Sequence, residues 1–83
     1  MNIWDKVKLH EGEIFKTVRG IEYSYVVLND CILINGDKKR RITKDMLDMS
    51  IRIANPTPVK LQKANLWGPS YLYGIITDNR IIL

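Results

Sequence analysis

Three segments in the first half of the sequence are rich in β-branched and aromatic residues, and turn-forming pairs separate them. They cover residues 13–18, 21–28 and 31–35, with Arg19-Gly20 and Asn29-Asp30 between them. Both pairs tolerate the positive φ of tight hairpin turns. The pattern predicts a three-stranded antiparallel meander, so any fold of this chain contains a small sheet.

The second predicted strand alternates in polarity. Its residues Ile21, Tyr23, Tyr25 and Val27 fall on one face, because successive side chains of a strand point to opposite sides. This face is predicted to pack against a core. An exposed platform on which Tyr23 and Tyr25 stack nucleic-acid bases is the alternative, and the alternation with apolar residues favours the core.

Helical signals follow the predicted sheet. A turn at 35–37 precedes a short fourth strand at 40–42, and Thr43 is then a good N-cap for a helix over 44–54. Thr57-Pro58 begins a second helix that runs to residue 66. A third helix is predicted at about 71–77, with Ser70 as its candidate N-cap.

The order of these elements predicts an α+β fold, because strands followed by a run of helices favour segregated layers. We expect one domain, residues 1–83, with a three- to four-stranded antiparallel sheet followed by three short helices packed on one face. Residues 1–12 form an N-terminal arm or short helix, 13–42 the sheet and 43–80 the helices. Residues 81–83 are predicted as an extended tail.

The length of 83 residues limits the core, because a chain this short buries only about 60 to 65% of its unfolded surface. Pairing two copies would bury additional apolar area. We therefore expect a homodimer, with the apolar tail Ile81-Ile82-Leu83 as its contact.

Composition narrows the class of protein. At 46% hydrophobic residues the chain is too apolar to be disordered, and it has no uninterrupted run long enough to span a membrane. Charged residues near the N-terminus break any signal-like stretch, so the expected location is the cytoplasm. The single cysteine, Cys31, lies among Ile32, Leu33 and Ile34 and is predicted to be a buried thiol.

The chain has few side chains suited to catalysis. We therefore expect that the protein is not an enzyme and that it binds no cofactor or metal. His10 is the only histidine, and with Glu11 and Glu13 it falls short of the usual ligand set of a stable zinc site. Asp45 and Asp48 share a helix face, but their place in the first turn is explained by the helix dipole.

The last quarter of the sequence has the local chemistry of a helix-turn-helix. The small Ala64 precedes the turn residue Gly68, and Ser70 begins a second helix. Lys38-Lys39-Arg40-Arg41 and nearby Lys44 concentrate the positive charge of a chain with net charge +4, which favours an anionic partner. These features predict a non-enzymatic nucleic-acid-binding accessory protein. Its predicted contact residues are Lys38, Lys39, Arg40, Arg41 and Lys44 for phosphates, with Ser70, Tyr71, Tyr73 and Thr77 presenting the last helix to a groove.

A second hypothesis is a phage or mobile-element protein that binds and inhibits a host protein, or a protein docking module. Trp4, Trp67 and Tyr71 are its candidate anchors, because aromatic residues dominate interface energetics. Burial of both tryptophans would count against it. An exposed Trp67 beside Tyr71 would favour it over DNA binding.

A longer pattern resembles a small uncharacterised domain found in bacteria and their mobile elements. The resemblance covers residues 12–82 and is carried by Phe15-x-Thr17, Gly20-x-x-Tyr23-x-Tyr25, Arg41-Ile42-Thr43-Lys44 and Leu66-x-Gly68-Pro69-Ser70-Tyr71-x-Tyr73-x-Ile75-Ile76-x-Asp78-x-Arg80-Ile81. Gly68-Pro69-Ser70-Tyr71 and Asp78-x-Arg80-Ile81 are its most specific parts. The resemblance implies a recurring compact fold in a bacterial or phage setting, and it implies no catalytic residues.

Overall fold

One helix opens the chain, strands follow, and helices complete it. The computed structural model describes residues 2–82. Within them the helices are α1 (Ile3–Leu9), α2 (Lys44–Ser50), α3 (Pro58–Lys63), α4 (Pro69–Ile76) and α5 (Asn79–Ile82). The strands are β1 (Phe15–Lys16), β2 (Glu22–Tyr23), β3 (Tyr25–Val27), β4 (Cys31–Ile34) and β5 (Arg41–Thr43). The predicted α+β class is confirmed, and the N-terminal segment is a helix.

The strands form two small antiparallel sheets in place of the single predicted one. β1 pairs with β2, which sets Phe15 opposite Tyr23. The second sheet has the order β3-β4-β5, with Tyr25 opposite Ile34. β5 is the short fourth strand that the sequence predicts near residues 40–42.

The predicted second strand, residues 21–28, is interrupted at Ser24. The Ser24 N–H donates to the side-chain oxygen of Asn35 at 3.1 Å, and the Asn35 N–H donates to the Ser24 carbonyl at 2.8 Å. Asn35 has a φ of 54°, a left-handed conformation that Asn adopts more readily than most residues. Because these bonds occupy the Ser24 backbone, β2 and β3 join different sheets. Tyr23 and Tyr25 are still buried, whereas Ile21 lies in the turn before β2 and is exposed.

Two helices begin at their predicted caps. The Thr43 hydroxyl accepts the N–H of Met46 at 3.1 Å at the start of α2. The Thr57 hydroxyl accepts the N–H of Lys60 at 3.2 Å at the start of α3. Each bond satisfies a donor that the first helical turn would otherwise leave unpaired.

α2 is shorter than the predicted helix over 44–54, because it ends at Ser50 and turns follow. Asn55, with a φ of 49°, has a left-handed conformation before Pro56. Ile51 is the C-cap residue of α2, and its side chain is exposed.

The connection between α3 and α4 contains two left-handed residues. Asn65 has a φ of 60°, its N–H donates to the Gln62 carbonyl, and the Leu66 N–H donates to the Leu61 carbonyl at 3.1 Å. These two bonds define a Schellman motif, with Asn in the place that Gly usually takes. Gly68, with a φ of 63°, is the residue that precedes α4.

The helix starts and ends near the C-terminus differ from the sequence expectation. α4 has Gly68 as its N-cap and Pro69 in its first turn, so the prediction of Ser70 as the N-cap is wrong. Residues 79–82 form α5, so residues 81 and 82 are helical where an extended tail was expected. Residue 83 of that predicted tail lies outside the described residues.

The hydrophobic core joins all the main elements. It includes Trp4 and Val7 of α1, Phe15 of β1, and residues of every later element. Gly74 marks a close contact between elements, because a Cβ at this position would lie 2.6 Å from both the Lys16 carbonyl oxygen and the Tyr23 hydroxyl. α4 therefore approaches β1 at a distance that only glycine allows. Cys31 is a buried free thiol, as predicted.

Arg80 fastens the C-terminal end of the chain to β1. Its guanidinium carbon lies 3.9 Å from the centre of the Phe15 ring. The same group pairs with Asp78 at 2.9 Å and Glu13 at 3.1 Å, and it donates to the Ile14 carbonyl at 2.8 Å. Asp78 and Arg80, which belong to one of the most specific parts of the sequence pattern, thus take part in the contact between the C-terminal helix and β1.

None of the helices within residues 2–82 has the length and apolar character needed to cross a lipid bilayer.

Candidate functional site

Trp67 is the aromatic residue that the fold leaves most accessible to a partner, with 41% of its surface exposed. The left-handed residues Asn65 and Gly68 flank the short segment that carries it. Within this segment the chain turns Leu66 into the core and leaves Trp67 outside. The position of Trp67 thus follows from the Schellman motif that ends α3.

Tyr71 packs beside the indole of Trp67. The two rings stack with centres 6.4 Å apart and planes 21° apart. On its other side Tyr71 meets Tyr23 edge to face, with centres 5.0 Å apart. The Tyr23 hydroxyl also donates to the Tyr71 carbonyl at 2.6 Å. The three rings form a continuous aromatic series from the buried Tyr23 to the exposed Trp67.

Burial raises the pKa of the Tyr23 hydroxyl far above its ordinary value, and the nearby Asp78 adds to the effect. The hydroxyl therefore keeps its proton throughout the physiological range, and it remains a donor to the Tyr71 carbonyl. The support that Tyr23 gives to Tyr71 is independent of pH in that range.

Arg40, a residue of the basic run at 38–41, contacts Tyr71. Its Nη1 donates to the Tyr71 hydroxyl at 3.1 Å, and its guanidinium carbon lies 5.9 Å from the centre of the Tyr71 ring. Arg40 also faces Asp37 at 3.6 Å within its own turn. We call Arg40, Trp67 and Tyr71 together the Trp67 surface.

The rest of the basic run is solvent-exposed. Lys38, Lys39 and Arg41 lie in or next to the turn between β4 and β5. Among the described residues, none of these three side chains forms an ion pair. Lys44 is exposed at the start of α2. The predicted phosphate contacts therefore form a free cationic border beside Arg40.

The predicted recognition helix presents little of itself to solvent. In α4, Leu72, Gly74, Ile75 and Ile76 are buried. Ser70 is exposed in its first turn. The other three predicted contact residues are half-buried: Tyr71 and Tyr73 pack against the core, and the Thr77 hydroxyl donates to the Tyr73 carbonyl at 2.6 Å. Only the first turn of α4, with Ser70 and Tyr71, lies near the basic run.

The two tryptophans have different environments. Trp4 is 6% exposed and belongs to the core through α1. It is therefore no surface anchor in the isolated chain, whereas Trp67 is exposed and stacks on the half-buried Tyr71.

His10 and its neighbouring carboxylates are occupied by structural bonds. His10 Nδ1 lies 2.9 Å from Glu13 Oε2, and Glu11 accepts the Val27 N–H at 2.7 Å. Residues 2–82 contain no group of three or more His, Cys, Asp or Glu side chains placed to hold a metal ion.

Sequence reasoning paired Trp67 with Tyr71 as candidate anchors and grouped Arg40 with Tyr71 among the nucleic-acid contacts, but it missed that the three residues form one surface. The partners Arg40 and Tyr71 are 31 positions apart, so no local spacing signals their contact. The role of Tyr23 was also missed, because an alternating strand pattern identifies a buried ring but not the helix that it supports.

Comparisons of the chain with protein-family models, with curated proteins and with solved structures found no match. The resemblance to a bacterial or mobile-element domain remains a prediction from the sequence.

Proposed function

We propose that this chain is a docking module that binds a partner protein through the Trp67 surface. The observation that carries the proposal is an exposed Trp67 stacked on Tyr71. In this proposal the chain acts by binding, without catalysis and without a cofactor. In the bacterial or phage setting that the resemblance implies, the docked chain would inhibit a host protein.

The composition of the surface supports protein docking. Trp, Tyr and Arg are the residue types most enriched among those that dominate binding energy at protein interfaces. Here one of each lies in a single connected group, because Arg40 donates to the Tyr71 hydroxyl and Trp67 stacks on the Tyr71 ring.

The rigidity of the surface is a second argument. Tyr71 is held on one side by Tyr23 and on the other by Trp67. A side chain that is already fixed loses less conformational entropy when it binds, which leaves more of the contact energy for affinity.

A photo-crosslinking experiment tests the proposal. A photoreactive phenylalanine derivative replaces Ser70, which is exposed beside Tyr71, and the protein is irradiated in nuclease-treated bacterial lysate. The crosslinked protein is identified by mass spectrometry, purified and titrated with the unmodified chain. We expect Trp67→Ala to weaken this binding by at least about 2 kcal/mol.

The matched control is Leu9→Ala, which also truncates an exposed apolar side chain but lies at the end of α1. It should bind like the unaltered chain. Equal affinity of Trp67→Ala and Leu9→Ala would refute docking through the Trp67 surface.

Nucleic-acid binding is the second candidate function, and the contact between Arg40 and Tyr71 favours it. This contact places the exposed Arg40 beside the half-buried Tyr71, on which the exposed Trp67 stacks. Proteins that bind single strands combine a cationic border with rings on which bases stack. The exposed Ser70 and the half-buried Tyr71, which contacts Arg40, are the residues of α4 best placed to take part. Tyr73 and Thr77 are half-buried.

Titration with duplex and single-stranded oligonucleotides at low salt tests this second function. The double variant Lys38→Gln with Lys39→Gln should weaken binding to all sequences and flatten its salt dependence, because phosphate contacts carry no sequence information. The control is Arg52→Gln with Lys63→Gln, which removes the same charge elsewhere. Binding weaker than ~100 μM by the unaltered chain would exclude this function.

A further inference from the structure

A groove lies directly beside the Trp67 surface. Of the residues that line it, only Ser70 and Tyr71 were already assigned to a candidate site. Its volume is about 520 Å³, within the range of about 300 to 1,000 Å³ that is typical of ligand-binding clefts. It runs between the β1–β2 turn and the first turns of α3 and α4. Its lining residues are Thr17, Val18, Arg19, Ile21, Pro58, Ser70 and Tyr71.

The wall formed by the β1–β2 turn is apolar and open to solvent. Val18 is 65% exposed and Ile21 is 59% exposed. The turn itself is held by hydrogen bonds from the Ile21 N–H to the Thr17 hydroxyl at 3.2 Å and from the Gly20 N–H to the Thr17 carbonyl at 2.9 Å. The fold thus presents two aliphatic side chains from a fixed backbone, opposite Pro58 and Tyr71.

The charge in the lining of the groove is positive. Arg19 is the charged residue of the lining, and among the described residues it forms no ion pair or hydrogen bond. No carboxylate appears in the lining. Arg40 adds a second cation at the edge, because it donates to the hydroxyl of the Tyr71 that lines the groove. An occupant that carries negative charge is therefore favoured.

We infer that this groove receives a short segment of the partner protein in which apolar side chains stand next to Asp or Glu. The apolar side chains would pack between Val18, Ile21 and Pro58, and the carboxylates would pair with Arg19 and Arg40. The inference rests on the proposed function, since it specifies which part of a partner meets the region around Trp67.

Selection from a displayed library of random short peptides, with the intact chain as bait, tests the inference. We expect enrichment of peptides that combine apolar residues with Asp or Glu. A synthetic copy of the most enriched peptide should bind at least about tenfold more weakly to Ile21→Asp and to Arg19→Glu than to the unaltered chain. Both positions are exposed, so the fold should persist in each variant, as circular dichroism would verify.

Matched controls separate a local effect from a general one. Leu9 is 64% exposed, so Leu9→Asp introduces the same charge on an equally exposed apolar residue outside the groove. Arg52→Glu reverses a cation outside it. Both variants should bind the peptide like the unaltered chain.

Several results would overturn the inference. These are selection of no consensus, selection of basic peptides, unchanged peptide affinity of Ile21→Asp and Arg19→Glu, and competition for the groove by an oligonucleotide but not by free peptide. A lower mass of Ile21→Asp in sedimentation would identify a second copy of the chain as the occupant, and that result would also overturn it.

The two proposals fail separately. A partner that crosslinks at position 70 and is lost with Trp67→Ala, but not with Ile21→Asp, would leave docking intact and refute the groove. Peptide binding that depends on Ile21 and not on Trp67 would support the groove and refute the Trp67 surface.

Discussion

The Tyr23 hydroxyl donates a 2.6 Å hydrogen bond to the main-chain carbonyl of Tyr71, and the two rings meet edge to face. This pair connects a residue of β2 in the core with the first turn of α4, where Trp67 stacks. The stability of the fold and the geometry of the Trp67 surface are therefore linked through one side chain.

The first prediction concerns this link. Tyr23→Phe removes the hydrogen bond and should lower the free energy of unfolding by about 1 kcal/mol. The control is Tyr73→Phe, since no hydrogen bond of the Tyr73 hydroxyl occurs among the described residues. Chemical denaturation followed by far-ultraviolet circular dichroism measures both. Equal stability of the two variants would show that the bond contributes nothing.

The second prediction concerns Gly74. In Gly74→Ala the new methyl group would meet the Lys16 carbonyl and the Tyr23 hydroxyl at 2.6 Å, so overpacking should cost about 1 to 3 kcal/mol. The helix preference of Ala over Gly, about 1 kcal/mol, acts in the opposite direction. Ser70→Ala, at an exposed position of the same helix, serves as the control. A rise in the thermal midpoint of Gly74→Ala would contradict the close approach of α4 and β1.

The third prediction concerns Arg80. Arg80→Gln removes the pairs with Asp78 and Glu13 and the contact with the Phe15 ring, so the unfolding free energy should fall by about 1 to 3 kcal/mol. Arg80→Lys keeps the charge but loses the planar fork, and it should recover less than half of this loss. Arg52→Gln should have little effect. Full recovery by lysine would mean that charge alone matters.

The fourth prediction is a dependence of stability on pH. The hydrogen bond from Arg80 holds the pKa of Asp78 below its ordinary value of 3.8. The hydrogen bond with His10, which has the larger effect, and the one with Arg80 hold the pKa of Glu13 below its ordinary value of 4.5. A carboxylate whose pKa is lower in the folded state than in the unfolded state stabilises the fold at pH values above its unfolded-state pKa. This contribution is lost as the pH falls through the folded-state pKa.

Stability should therefore decline as the pH drops below about 4.5. Thermal unfolding as a function of pH should show a smaller decline for Asp78→Asn with Glu13→Gln than for the unaltered chain. Glu22→Gln, at an exposed position of β2, should keep the full decline. An unchanged slope in the double variant would contradict the prediction.

The fifth prediction is the homodimer expected from the small core. Ile81 is buried, so it is unavailable as a contact, and deletion of the tail would damage the core. Ile82 is exposed and, with Ile3 and Ile51, borders an apolar cavity of about 230 Å³. Sedimentation should show a dimer that Ile82→Asp shifts towards monomer, while Leu9→Asp leaves it unchanged. A monomer at high micromolar concentration for the intact chain would make the prediction wrong.

Signals within a few residues of one another predicted much of the fold. The caps at Thr43 and Thr57 are local hydrogen bonds between a hydroxyl and a nearby N–H, so residue type and spacing suffice to find them. The turns at 19–20 and 29–30 were found in the same way. The class of fold follows from the order of such segments.

The features that sequence patterns missed depend on distant contacts. The interruption at Ser24 is accompanied by a hydrogen bond to the side chain of Asn35, 11 positions away. The alternation of residues 21–28 does not indicate this bond. The start of α4 at Gly68 was missed because Ser70 matches a cap by residue type, whereas the Schellman motif behind it sets the backbone first. The place of Arg40 beside Trp67 and Tyr71 was missed because it depends on a contact between residues 31 positions apart.

The turn that ends α3 separates two requirements on neighbouring residues. Leu66 points inward and serves folding, while Trp67 points outward and bears little of the core. The two positions can therefore change independently during evolution. Trp67 could be replaced by another side chain, which would allow binding to a different partner, while the core and the backbone stay the same.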